Sequence, residues 1–170
     1  MILNTQSLTF ELSPPVLYEL DFEDAIEWLT EQIQAQRSIS VSYENDEGPK
    51  PLPEEVKILL FHAVRELLVN VVKHAQAKCA RVALKKNCDS LEVVVEDDGV
   101  GLQEQSGDAG RGAGRIAGSK QDTRGGGFGL FNIRERIAPL GGRIEISSKP
   151  GRGTRVTLTV PLLHPIPETS

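Results

Sequence analysis

Residues 65–77, RELLVNVVKHAQA, decide how the rest of the chain is read. They end a helical segment spanning about residues 53–75, which is entered through the turn-rich GPKPLP at 48–53. With Glu66 set at zero and about 100° per residue, His62, Asn70 and Lys73 fall within roughly ±40° of it. Leu59, Leu60, Leu67, Leu68, Val71 and Val72 cover most of the remaining circumference. One narrow polar stripe on an apolar helix faces either solvent or a site lined by the domain. Asn70 in mid-helix is locally unfavourable and asks for a reason. His62 and Glu66 together are two ligands, too few to make a zinc site.

Working outward, Ser13, Pro14 and Pro15 break whatever precedes them, and Asp21 is placed to cap the helix FEDAIEWLTEQIQAQ at 22–36. ISVSY at 39–43 alternates like a strand. ARVALKKN and SLEVVVED, at 80–87 and 90–97, read as two strands joined by a tight turn. FGLFNIRERIAPL at 128–140 is a third long helix stopped by Gly141 and Gly142, and GRIEISS and TRVTLTVPL form a hairpin around KPGRG. HPIPETS at 164–170 is a tail. The expected fold class is α+β: a two-layer sandwich with one mixed sheet and helices on one face.

Composition narrows the classes further. At 170 residues, 39% hydrophobic and 25% charged, the chain suits one ordinary domain that needs no metal or crosslink to hold a core. Cys79 and Cys88 make no disulfide framework and read as structural thiols. A net charge of -5 argues against nucleic-acid binding, while a small anionic ligand needs only local positive charge. With no secretory pattern at the start and no apolar run near the ~20 residues that span a bilayer, the chain is expected in the cytoplasm. Fifteen of the sixteen glycines lie within 99–153, so that region needs an unusually permissive backbone. Residues 102–126 read as a long lid-like loop whose Arg111, Arg115, Lys120 and Arg124 are donors for an anion.

Two further segments carry chemistry. VVVEDDGVG, 93–101, ends a β-branched strand in Asp97 and Asp98 with Gly99 and Gly101 behind them. Taken alone it is as readily an acidic turn. GGGFGL, 125–130, opens a helix at Gly127 and Gly129, where exposed N–H groups and the positive helix end make an anion cradle or, equally, a hinge.

As an ordered set, the ExxxNxxKH stripe, the strand-end DxGxG, the glycine-rich loop, the GxGL helix start and the late GxGT at 151–154 resemble the ATP-binding (Bergerat) domain of gyrase, the heat-shock chaperone, sensor histidine kinases and mismatch-repair ATPases. The resemblance covers about residues 21–162, leaving 163–170 as tail. In wording, the chain is most similar to sensor histidine kinases of the nitrate-sensor type. ELSPPVLYEL at 11–20 resembles the end of their dimerisation and phosphoacceptor helices, so residues 1–20 are expected to be a remnant of that neighbour.

The resemblance implies roles. Asn70 would bind Mg²⁺ through its carbonyl oxygen. Glu66 would polarise or deprotonate the nucleophile, and Lys73 and His74 would touch phosphate oxygens. Asp97 would accept from the adenine amino group, directly and through a water shared with Thr154. Gly99 and Gly101 would let the backbone pass close to the base, while Gly127, Gly129 and Leu130 would hold phosphates. It further implies a protein histidine kinase using ATP and Mg²⁺, with a phosphoacceptor domain and a response regulator as partners. The parent would be a homodimer and this fragment a monomer. None of His62, His74 and His164 lies in a phosphoacceptor context, so this chain is expected to bind ATP without labelling itself. The rival readings are a serine kinase of the anti-sigma-factor type and a nucleotide-sensing module without turnover.

Overall fold

In a computed structural model of the protein, residues 15–46, 48–102 and 127–163 are described. Helices α1 (Val16–Glu19) and α2 (Phe22–Gln36) precede strand β1 (Ser40–Asn45), and α3 (Glu54–Asn70) runs directly into a π-helical turn, Val71–Ala75. Strands β2 (Cys79–Lys86) and β3 (Ser90–Asp97) follow. Helix α4 (Gly127–Ile137), finished by a 3₁₀ turn at Ala138–Leu140, leads to β4 (Arg143–Ser148) and β5 (Thr154–Pro161). The lid residues 103–126 and the tail from 164 lie outside the described residues.

The five strands form one sheet in the order β1-β2-β3-β5-β4. Only β1 and β2 run parallel, because α3 is the crossover that returns the chain to the same end of the sheet. Period-two alternation sorts the side chains by face. Leu91, Val93 and Val95 of β3 pair in register with Val160, Leu158 and Val156 of β5, and all six are buried against the helices. Phe22, Ile26 and Leu29 of α2 and Leu60, Phe61, Val64 and Leu68 of α3 complete that core. The next rung is Asp97 opposite Thr154, so the alternation that buries Val93 and Val95 also turns a carboxylate inward.

On the other face the polar residues of the alternation form a ladder of charge. Arg81 grips Glu44 with two bonds of 2.8 and 2.6 Å and lies 3.7 Å from Glu96, which also accepts from Arg155 at 2.9 Å. Such exposed pairs contribute little individually, but they keep the face polar and the strands in register.

Three details differ from the sequence-based expectations. Asp21 occupies the N-cap position of α2, yet its side chain makes no capping bond; its carbonyl accepts the Ala25 N–H at 2.9 Å. Leu17 of α1 is buried in the domain core, so residues at the end of the 1–20 segment pack with the sheet-and-helix unit. GPKPLP is more than a turn. Its Lys50 is wholly buried, donates to the carbonyls of Asp46 and Gly48, and pairs with Asp46 at 2.9 Å and Glu23 at 3.9 Å, fastening this loop to the first turn of α2.

Helix α4 is anchored by Ile133 and Ile137, and Gly142 packs directly on Ile137. Ile137→Val removes one buried methylene and is expected to cost about 0.5–1.5 kcal/mol, read as a lower urea midpoint at unchanged slope.

Candidate functional site

The helical stripe holds through Asn70 and then changes. Glu66 and Asn70 lie one α-turn apart, and both stand beside α4: a Cβ on Gly129 would lie 2.6 Å from Glu66 Oε1 and 3.3 Å from Asn70 Nδ2. A side chain at residue 129 would require the Glu66 side chain to shift. Beyond Asn70 the π-turn widens the helical step, so a count at 100° per residue no longer applies. His74 consequently lines the cleft described below, whereas Lys73 is exposed and is not among its lining residues.

The turn ends on Gln76 in the left-handed region, φ 51°, and the chain enters β2 with the Ala75 carbonyl turned toward the strand-end loop. Val100 N–H donates to that carbonyl at 2.8 Å, and Gly99 packs so closely on it that any Cβ would overlap it. Gly99 is thus required by chain-to-chain packing, a demand separate from the close approach to the base that the resemblance implies. Gly101 does line the cleft, at φ 75°, and presses on the Lys149 carbonyl of the β4–β5 turn. Gly153, at φ 82°, sits against the Asp97 carbonyl with no room for a side chain. Asp98 points the other way and accepts the N–H groups of Lys78 and Cys79, both at 2.9 Å, which ties the strand end to the start of β2.

These packings border a cleft that is partly open to solvent. Leu67, Val71, Val95 and Val156 give it apolar walls, and Leu102 and Leu130 border it from the two sides of the 103–126 segment. Its polar groups are few: Asp97 and Thr154 from the sheet, Asn70 and His74 from the helix. Asp97 is 8% exposed, its Oδ1 accepts the Gly99 N–H at 2.8 Å, and the Thr154 backbone N–H also bonds it. Burial nonetheless pushes its carboxyl above the ordinary carboxylate range, with Asp98 and Glu96 adding to the rise and the two backbone donors opposing it.

A second, more polar groove adjoins the cleft at Glu66 and Gly129 and includes His62, Arg65, Asn132 and Arg136. Burial, then the charges of Arg65 and Arg136, hold the His62 imidazole below its ordinary value. The first turn of α4, which contains Gly127, Gly129 and Leu130, begins at this junction. The structure thus brings Asn70, Asp97, Gly101 and Thr154 onto one cleft, and Glu66 and Gly129, which stand beside Asn70, onto the groove that adjoins it. Among the described residues there is no cluster of three or more His, Cys, Asp or Glu side chains that could hold a metal ion. Arg111, Arg115, Lys120 and Arg124 lie outside the described residues.

The apolar walls, the Ala75 carbonyl and the polar groove escaped the sequence reading. Val95 and Val156 read as core, and nothing marks Gln76 as left-handed.

Comparison with known proteins agrees with this geometry. Residues 55–164 match the family described as histidine kinase-, DNA gyrase B- and HSP90-like ATPases, and the chain belongs to that family. Membership implies ATP binding. An uncharacterised sensor-like histidine kinase of Chloroflexus aurantiacus is 34% identical over 160 residues, 92% of this chain and 25% of its own length. The oxygen sensor histidine kinase NreB of Staphylococcus carnosus is 30% identical over 162 residues, 95% of this chain and 42% of its own. The chain therefore spans less than half the length of these relatives. In fold it is similar to the histidine kinase domain of the blue-light activated enzyme of Erythrobacter litoralis EL346, with a TM-score of 0.63, 21% identity, and coverage of 83% of this chain and 61% of the other. Acinetobacter baumannii AdeS gives a TM-score of 0.62 at 15% identity, covering 85% and 66%. The α+β, two-layer architecture expected from the sequence is the one these structures share.

Proposed function

We propose that this member of the ATPase family is the catalytic module of a sensor histidine kinase. It binds Mg·ATP and transfers the γ-phosphoryl to a histidine on a separate dimerisation domain, for relay to an aspartate of a response regulator. The reading rests above all on the inward Asp97–Thr154 rung at one part of an apolar cleft that also contains Asn70 and adjoins Glu66 and Gly129.

Apolar walls suit a purine, and an acceptor-only carboxylate opposite its edge favours an amino group over a carbonyl, which would set two acceptors against each other. The phosphates then lie toward the start of α4, where free N–H groups and the helix dipole favour negative charge, and His74 adds a side-chain contact. Asn70 fits a hard cation, since its amide oxygen is a neutral donor of the right type and the triphosphate completes the ligand set; when bound, the ion neutralises developing phosphate charge. Glu66, one turn earlier, is the group placed to orient or deprotonate the incoming imidazole. Glycines 101, 127 and 129 keep the backbone close to the ligand. The module is assigned to the cytoplasm.

The test is incubation with labelled ATP, with and without the acceptor helices. Label on the supplied helices as acid-labile phosphohistidine, with negligible label on this chain, is the expected result. Acid-stable phosphoserine on a protein partner would replace the reading with a serine kinase, and tight ATP binding with no product would leave a sensing module. Asn70→Ala is expected to remove the Mg²⁺ dependence of ATP affinity while leaving the melting profile intact. Metal-coupled binding that survives the change would move the ion to another residue.

A further inference from the structure

At the hairpin turn a single hydroxyl, Ser148 Oγ, has three partners. It accepts the Leu102 N–H at 2.7 Å, lies 3.1 Å from the Gly153 carbonyl and lies 3.0 Å from Thr154 Oγ1. Ser148 and Thr154 face each other across the β4–β5 pair, and Thr154 faces Asp97 across the β5–β3 pair, so the three residues form one row ending in the cleft. A Cβ on Gly101 would also come within 3.1 Å of Ser148 Oγ, which places this hydroxyl under the first residues after the strand-end loop.

Counting hydrogens decides the direction of the row. A serine hydroxyl has one hydrogen, and a carbonyl can only accept. If that hydrogen goes to the Gly153 carbonyl, Thr154 donates to Ser148 and all three bonds are made. If it goes to Thr154, the bond to Gly153 is lost and only two remain. The first arrangement satisfies more polar groups around a half-buried hydroxyl. With its hydrogen committed to Ser148, Thr154 presents lone pairs alone to the cleft, beside a carboxylate that also only accepts.

We infer that Ser148 is a positioning residue: by taking the Thr154 hydrogen it makes Thr154 an acceptor, so that both side chains at the base-reading part of the cleft select a purine with an amino group over one with a carbonyl. This rests on the nucleotide reading above and deepens it. The residue acts through Thr154 and needs no contact with the ligand.

ATP and ITP share the triphosphate and differ on one purine edge, an amino group beside an accepting N1 in ATP against a carbonyl beside an N1–H in ITP, and their affinity ratio is read by titration calorimetry. In Ser148→Ala the Thr154 hydroxyl is released to donate, and the ATP-to-ITP preference is expected to fall about five- to tenfold, with ITP gaining on ATP. Ser148→Thr, which keeps the hydroxyl, is expected to restore the ratio. In a Thr154→Val background, Ser148→Ala is expected to leave the ratio where Thr154→Val put it, because its intermediary is gone. A hydroxyl that merely stiffens the hairpin would lower both affinities together; an unchanged ratio in Ser148→Ala, at whatever absolute affinity, overturns the inference. Wild-type protein that binds neither nucleotide would overturn the nucleotide reading and this one with it, an outcome distinct from an unchanged ratio.

Discussion

Glu66→Gln is expected to leave Mg·ATP affinity within about twofold of wild type while slowing phosphoryl transfer to acceptor helices supplied in trans by about 10²–10⁴-fold, the usual contribution of a positioned general base. The amide has the size of the carboxylate, so the close packing of Gly129 on this side chain survives, and nothing in the Asp97–Thr154 rung changes. What is lost is the ability to take a proton. Glu66 is exposed at the junction of the cleft and the polar groove, where an incoming imidazole can reach it. Because the interaction matters only as the bond to phosphorus forms, kcat and kcat/KM should fall together at constant nucleotide Kd. Single-turnover transfer at saturating ATP checks this. A rate within threefold of wild type would move the base to the acceptor domain, where an acidic neighbour of the phosphorylated histidine can do the same work, and would leave Glu66 with a role in ordering the phosphate end alone.

The parts of this site that were legible in the sequence are those governed by a regular period. Period two along β3 buries Val93 and Val95 and therefore turns Asp97 inward, and period 3.6 along α3 stacks Glu66 under Asn70. Where the period breaks, the sequence misleads. Lys73 belongs to the stripe on an α-helix and leaves it on the π-turn, because the widened step rotates every residue after Asn70. Gly99 looks like a ligand-facing glycine, yet it is demanded by the Ala75 carbonyl, a group that has no sequence signature because every residue has one. Ser148 is one of two adjacent serines at the end of a strand until β4 and β5 are placed in register and its hydroxyl is found beside Thr154. Lys50 lies in a segment read only as a turn-rich entry; its burial follows from the positions of Asp46 and Glu23, which come together only when β1 packs on α2.

Asp97→Asn is expected to weaken ATP binding by about 1–3 kcal/mol, roughly 5–150-fold, while raising the melting temperature of the nucleotide-free protein at neutral pH. The two effects have one cause. Burial lifts the Asp97 carboxyl above its ordinary value of 3.8, so the folded protein holds this proton more tightly than the unfolded chain does. For a group raised in this way, the stabilising contribution is fully present below the unfolded value and is lost as pH rises through the folded one. Above the folded value the carboxylate is ionised at a cost in stability. Asparagine can still accept the Gly99 backbone N–H through Oδ1, but it carries no charge to desolvate. Its melting advantage should be largest near neutrality and should shrink as acid protonates Asp97 in the wild type. Binding follows the opposite course. Adenine needs an acceptor, so wild-type affinity should fall over the same acidic window, whereas the asparagine variant should be uniformly weak with its amide donors opposed to the amino group. Comparing the two proteins with the same nucleotide cancels the titration of the triphosphate itself. Parallel affinity-versus-pH curves for wild type and variant would show that Asp97 does not read the base.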